Sequence, residues 1–245
     1  MKGEPNMKKT LKVLFAACLT LVMAICVTGY ASAEDAIADA DFNDGKMHWN
    51  ISADHVLTIS GTGNMPDYKE TVNAPWYSYR SQINSIVVED GVTGLGSYAF
   101  YQLTGAASVS LPDSLETMGG YCFYGCSALE TIAVPEGVSE IPSYAFYGCS
   151  ALESVDLADS VKTFGNYAFY SCRSLKSIAI PEGVTAVCAE DLFRNCSSLK
   201  VITLPSTLEQ MGSEAWYYYM FYGTSIIDIY YNGTLSQWLA MELVY

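Results

Sequence analysis

The chain has 245 residues, 51% of them hydrophobic and 16% charged, which is enough apolar material for a packed core and excludes an intrinsically disordered sequence. Its 12 basic residues stand against 26 acidic ones, a net charge of −14. A surface with that balance repels nucleic acid and anionic lipid, so neither is expected as a partner.

From the N-terminus, Lys8, Lys9 and Lys12 form a basic region and Val13 to Val27 an apolar run, followed by Ala31-Ser32-Ala33. This is the pattern of a cleavable export signal, with the cut expected between Ala33 and Glu34. The run is too short for a membrane anchor, and no later segment is apolar enough to span a bilayer, so the mature chain is expected to be secreted or held at the cell surface. Subtracting the four lysines and one glutamate of residues 1–33 from 12 and 26 leaves 8 basic and 25 acidic residues, a net charge of −17.

Residues 34–80 precede a repeat and read as an N-terminal cap. They hold both histidines, His48 and His55. Asp39-Ala-Asp41-Phe-Asn43-Asp44-Gly45 approaches a calcium loop, but its glycine comes one place late and position 12 is Asn50, so the match fails. No metal-ligand spacing, nucleophile elbow or phosphate loop follows, which leaves no cofactor and no catalytic centre to expect.

The span 81–224 is periodic. Phe100, Phe123, Phe146 and Phe169 recur every 23 residues and continue at Phe193 and Phe221. Cys126, Cys149, Cys172 and Cys196 keep the step, as do Leu129, Leu152, Leu175 and Leu199. Such a period means about six stacked units, none able to bury its apolar face alone. In the unit Ser127–Cys149, Ile132 and Val134 alternate as in a half-buried strand, and Pro135-Glu136-Gly137 makes a turn. Val138 and Ile141 begin a second short extended piece. Ala145, Phe146 and Cys149 then fall on one face of an expected helical turn, with Tyr144 and Tyr147 on the other. Residues 225–245 close the array.

The pattern L-x-x-I-x-(L/V/I)-P-(D/E)-(G/S)-V-x-x-I-x-x-Y-A-F-Y-G-C resembles the BspA-like leucine-rich repeat of exported microbial surface proteins. Trp49-Asn-Ile51, Leu57 to Met65 and Ala74-Pro-Trp76 resemble the family's lead-in, and Ile229 to Thr234 with Trp238 its closing segment. The resemblance implies an α/β solenoid: a right-handed leucine-rich-repeat superhelix with a parallel inner sheet and short helical turns or strands outside. It also implies a protein-binding or adhesive role towards host matrix or another cell surface. A glycan-binding or envelope-scaffold role is the alternative.

Four surface features follow from the period. The cysteine column admits a disulfide reading, but stacked side chains run parallel and stand too far apart at Cβ, which favours buried free thiols. Cys122 and Cys188 read as small-residue replacements. The acidic column Asp90, Asp113, Glu136, Asp159 and Glu182 reads as turn chemistry or as an edge for a cation or a basic partner. Two tyrosine columns, Tyr98, Tyr121, Tyr144, Tyr167 and Tyr101, Tyr124, Tyr147, Tyr170, form a binding surface or a cover for the coil edges. On the inner sheet, Ser108, Thr131, Ser154 and Ser177, with Ser110, Asp156 and Thr203 beside them, offer small polar side chains to an extended partner, the first choice for a contact face. Between Met211 and Phe221 the usual step doubles, inserting Trp216-Tyr217-Tyr218-Tyr219 as a lid or a binding loop.

Overall fold

A computed structural model describes residues 36–212 and 217–243, with side chains for 36–212 and 219–241. The expected export signal, its expected cleavage site at Ala33–Glu34 and Trp216 lie outside the described residues. The chain enters through an antiparallel hairpin, β1 (Ala38–Phe42) and β2 (Met47–Ile51), with β3 (Val56–Gly61) antiparallel to β2. Met47, Trp49 and Ile51 are buried while His48 and Asn50 are half-buried, the alternation of a strand with one face on the core.

At β3 the pairing changes direction. After β4 (Gly63–Asn64) and a 3-10 turn at Pro75–Tyr79, β5 (Ser85–Val88) pairs parallel with β3 and β6 (Val92–Leu95) parallel with β4. Every later coil repeats this pair of strands. They are β7 (Ser108–Ser110) and β8 (Thr117–Met118), β9 (Thr131–Val134) and β10 (Glu140–Ile141), then β11 (Ser154–Leu157) and β12 (Thr163–Phe164). Next come β13 (Ser177–Ala179) and β14 (Ala186–Val187), β15 (Val201–Leu204) and β16 (Gln210–Met211), a short α1 (Tyr217–Met220), β17 (Asp228–Tyr231), α2 (Leu235–Ala240) and β18 (Glu242–Leu243).

One face runs β1-β2-β3-β5-β7-β9-β11 and then β13-β15-β17; the second runs β4-β6-β8, β10-β12 and β14-β16-β18. Parallel pairing therefore begins inside segment 34–80 and continues into 225–245. Among the described residues no helix is long and apolar enough to cross a membrane. The two faces meet at a tight turn that recurs in each coil. The N–H groups of Leu115, Val138, Val161, Val184 and Leu208 each donate to a carbonyl three residues back, at 3.1–3.3 Å.

The third side differs from the helical turn expected there. Tyr98, Tyr121, Tyr144 and Tyr167 adopt φ of 59–61°, the left-handed region, so the chain folds into consecutive tight turns instead of a helix. The backbone turns its hydrogen bonds towards the neighbouring coil. Tyr98 N donates to Gly120 O at 3.0 Å, Phe100 N to Cys122 O at 2.8 Å and Gln102 N to Tyr124 O at 2.7 Å, and the same triplet recurs one coil on. Each left-handed residue costs ~1–2 kcal/mol, and the third hydrogen-bonded ladder between coils offsets it.

The interior is a set of columns. The Phe100 to Phe221 rings stack with centroids 5.2–5.9 Å apart. The first rung is capped by Trp76, wholly buried, whose Nε1 donates to Ala99 O at 2.9 Å. Among the described residues six cysteines are free, and the expected column of thiols is buried. Each Sγ of Cys126, Cys149, Cys172 and Cys196 donates to a phenylalanine carbonyl of the preceding coil, at 3.0–3.2 Å. A thiol thus fills a methyl-sized space and adds a second, weak donor to a carbonyl that already accepts a backbone N–H within its own coil.

Candidate binding surface

Repeat geometry converts each sequence column into a physical row, so a surface is read coil by coil. On the inner sheet, Ser85, Ser108, Thr131 and Ser154 lie in register, and Ala133 faces Asp156. Ser177 continues to Val201 and Asp228, and Ala179 to Thr203 and Tyr230. Thr131 and Ser177 are exposed; Ser108, Ser110, Ser154, Asp156 and Thr203 are half-buried. Lys176 Nζ meets Glu153 Oε2 at 2.6 Å beside this row. The face is polar, nearly flat in its side chains, and broken at its C-terminal end by Val201 and Tyr230.

The acidic column lies on the turns that follow the first strand of each coil. Asp90, Asp113, Glu136 and Asp159 are exposed on the turns, while Glu182 accepts from Ser206 N and Oγ and from Asn232 Nδ2 at 3.0–3.1 Å. Among the described residues no group of three or more His, Cys, Asp or Glu is placed to hold a metal ion.

The tyrosine side has more definite geometry. Tyr98, Tyr121, Tyr144 and Tyr167 stack with centroids 4.4–4.8 Å apart and planes within 11°. Tyr101, Tyr124, Tyr147 and Tyr170 stack at 4.7–5.1 Å. Within a coil the two rings meet at 5.3–6.0 Å, so the eight form one double-row slab. Their backbone turns are fixed by the ladder beneath, which holds the rings without long flexible stems. Burial pushes the phenols of Tyr101 and Tyr121 up to about 12, so both remain neutral donors at physiological pH. Tyr167 is raised further, first by its hydrogen bond to the Glu190 carboxylate. A groove of about 240 Å³ opens along the slab, lined by Tyr98, Tyr101, Tyr121, Tyr124, Tyr144, Tyr147 and Glu70.

Sequence reading missed three contributors. At the fifth coil the tyrosine pair is replaced by Asp191 and Arg194, and Arg194 Nη1 meets Asp191 Oδ2 at 2.9 Å. The guanidinium stands in the ladder as a rung, 5.9 Å from the Tyr170 ring centre, 5.0 Å from Tyr219 and 5.3 Å from Tyr222. Column arithmetic carries that signal, since Asp191 and Arg194 stand 24 residues after Tyr167 and Tyr170. Tyr219 therefore returns the row to an aromatic, which gives this part of the insertion a place in the ladder. Glu70 lies before the periodic span, so no repeat points to it.

Asp191 is 4% exposed and its Oδ1 has no hydrogen-bond partner among the described residues, so the carboxylate is held by Arg194 alone. Asp191→Ala is expected to lower unfolding stability by about 2–3 kcal/mol by stranding the guanidinium. The double variant Asp191→Tyr with Arg194→Tyr should recover most of it by continuing the stack. Urea denaturation of the three chains checks both statements; equal loss in the single and double variants would refute the rung assignment.

The BspA type leucine-rich repeat model matches this chain in six copies over residues 70–190 and 121–238, more than half of its length. The chain belongs to the BspA-type leucine-rich-repeat family. No curated protein matches it. Among solved structures, a leucine-rich repeat protein of T. pallidum shares 23% identity, with 76% of this chain and 87% of that one covered and a TM-score of 0.55, a likeness of fold. A leucine-rich repeat protein of Bacteroides ovatus shares 26% identity over 58% of this chain at a TM-score of 0.39, and this BspA-type chain spans only 47% of its length. A leucine rich cell surface protein of Faecalibacterium prausnitzii shares 19% identity, with 86% of this chain and 99% of that one covered, at a TM-score of 0.29.

Proposed function

We propose that this BspA-type chain is an exported, surface-associated binding module, not an enzyme, and that its tyrosine slab is the contact face for a protein partner on host matrix or another cell. In this reading residues 1–33 are the removed signal, 34–80 the cap, 81–224 the working solenoid and 225–245 its closing segment. The observation that carries the choice of face is the double row of eight tyrosines, stacked at 4.4–5.1 Å on a hydrogen-bonded turn ladder. A rigid aromatic surface loses little conformational freedom on binding, and tyrosine is enriched where interface energy concentrates. The small polar side chains of the inner sheet supply no comparable anchor. Because neighbouring rings already occupy the ring faces, the slab offers rims and hydroxyls, which suits a protein better than the flat face of a sugar.

The double variant Tyr121→Ser with Tyr144→Ser is expected to weaken binding to immobilised matrix proteins or intact cells by at least about tenfold. Thr131→Tyr, which crowds the inner sheet, should leave binding unchanged, with melting temperatures as the control on folding. The opposite result moves the contact face to the sheet and sinks the present reading.

A further inference from the structure

The groove in the tyrosine slab has a charge character of its own. Glu70 stands at its rim, on the loop closed by the Lys69–Val72 backbone pair, and is exposed. Its charge acts on the Tyr101 and Tyr124 phenols, raising both after the larger effect of burial. Among the described residues no basic side chain pairs with Glu70, and none lines the groove. With ring faces taken up by stacking, the polar atoms the lining presents are phenol oxygens and one carboxylate.

The chain itself shows what such a ladder accepts. At its N-terminal end the Arg80 guanidinium lies 4.5 Å from the centre of the Tyr77 ring, and Tyr77 stacks on Tyr101. At its C-terminal end Arg194 replaces a tyrosine and lies 5.0–5.9 Å from three ring centres, with the Asp191 carboxylate at 2.9 Å. Both ends of the slab therefore hold a planar cation against tyrosine, one of them with a carboxylate beside it. The middle, with three tyrosine pairs and Glu70, repeats the aromatic and carboxylate parts without the cation.

We propose that this groove receives the guanidinium of an arginine carried on an extended, basic segment of the partner protein. The proposal rests on the tyrosine face being the contact surface and names the chemistry that face recognises. Charge complementarity acts at two ranges. The net charge of −14 draws a basic segment towards the chain, and Glu70 with the phenol oxygens accepts the fixed fork of N–H donors. Arginine suits the site better than lysine because its guanidinium is flat, more weakly hydrated and presents a rigid fork of donors that matches a carboxylate and neighbouring phenol oxygens.

The test titrates the chain with short Gly–Ser peptides bearing arginine, lysine or citrulline at the same positions, at physiological salt, followed by amide resonances. The arginine peptide is expected to shift residues 98–147 and to bind about fivefold tighter than the lysine peptide, with no saturable binding of the neutral citrulline form. Glu70→Gln should weaken arginine binding about tenfold, and Tyr124→Phe, which keeps the stack and loses one oxygen, about threefold. Equal affinity for lysine and arginine, shifts scattered over the acidic surface, or indifference to Glu70→Gln would each overturn the proposal. So would a neutral glycan that displaces the arginine peptide from the groove. Loss of partner binding in the Tyr121/Tyr144 double variant alongside indifference to Glu70→Gln would leave the tyrosine face standing and remove only the arginine.

Discussion

The folded chain is expected to lose several kcal/mol of stability between pH 8.5 and 10 through its buried thiols. Burial raises the Cys126 thiol to about 12 and pushes Cys122, Cys149 and Cys172 well above the ordinary thiol range. In the unfolded chain these groups ionise near pH 8.5. Their folded-state pKa is higher, so the stability they contribute is fully present below that pH and is lost as pH rises towards the folded value. Each unit of pH above ~8.5 costs about 1.4 kcal/mol per thiol, so four thiols lose about 8 kcal/mol by pH 10. That equals the whole stability of many domains of this size. The decisive measurement is the slope of unfolding free energy against pH over this window. Cys126→Ala with Cys149→Ala should halve it, even while lowering stability at pH 7. A slope unchanged by the double variant, or a flat profile to pH 10, would show that the thiols do not carry the effect.

The second large effect is steric and local. Gly165 stands where each coil leaves its second strand for the tyrosine turn, and its N–H donates to Ile141 O at 2.7 Å. A Cβ there would lie 2.2 Å from Ser143 N and 2.7 Å from Ser143 Cα, both backbone atoms that cannot move aside without parting two coils. Gly165→Ala is expected to cost about 3 kcal/mol or more. Gly148→Ala serves as the contrast. Its φ is +71°, but its nearest neighbour would be 3.9 Å away, and Gln102 and Ser171 take up the same left-handed conformation in other coils. That variant should cost only about 1 kcal/mol. Similar losses from both substitutions in thermal unfolding would mean that backbone strain, not coil separation, sets the penalty.

Much of the solenoid was legible in the residues because a repeat states the same fact several times. One apolar residue every 23 is weak evidence; Phe100, Phe123, Phe146 and Phe169 in phase with the Leu and Cys columns fix which side chains share a row. The Pro-(Asp/Glu)-Gly turn was legible for a similar reason, since Pro135 fixes φ locally, Gly137 adds no side chain to obstruct the bend, and the turn's hydrogen bond needs no distant partner. The helical turn was not. Ala145, Phe146 and Cys149 have helical spacing, but their backbone hydrogen bonds run partly to the next coil, a competitor that periodicity within one unit cannot register.

The sequence by itself determined the stacking, the buried columns, the free thiols and the acidic surface, because each depends on side-chain volume, spacing or charge alone. Only the tertiary structure decided what the surface rows become. It placed Tyr98 to Tyr170 as two stacked rows whose faces are taken up by one another, inserted the Asp191–Arg194 pair as a rung, and brought Glu70 from outside the period to the groove. Those outcomes depend on distances between residues far apart in the chain, which are set only when neighbouring coils close on each other at the spacing of paired strands.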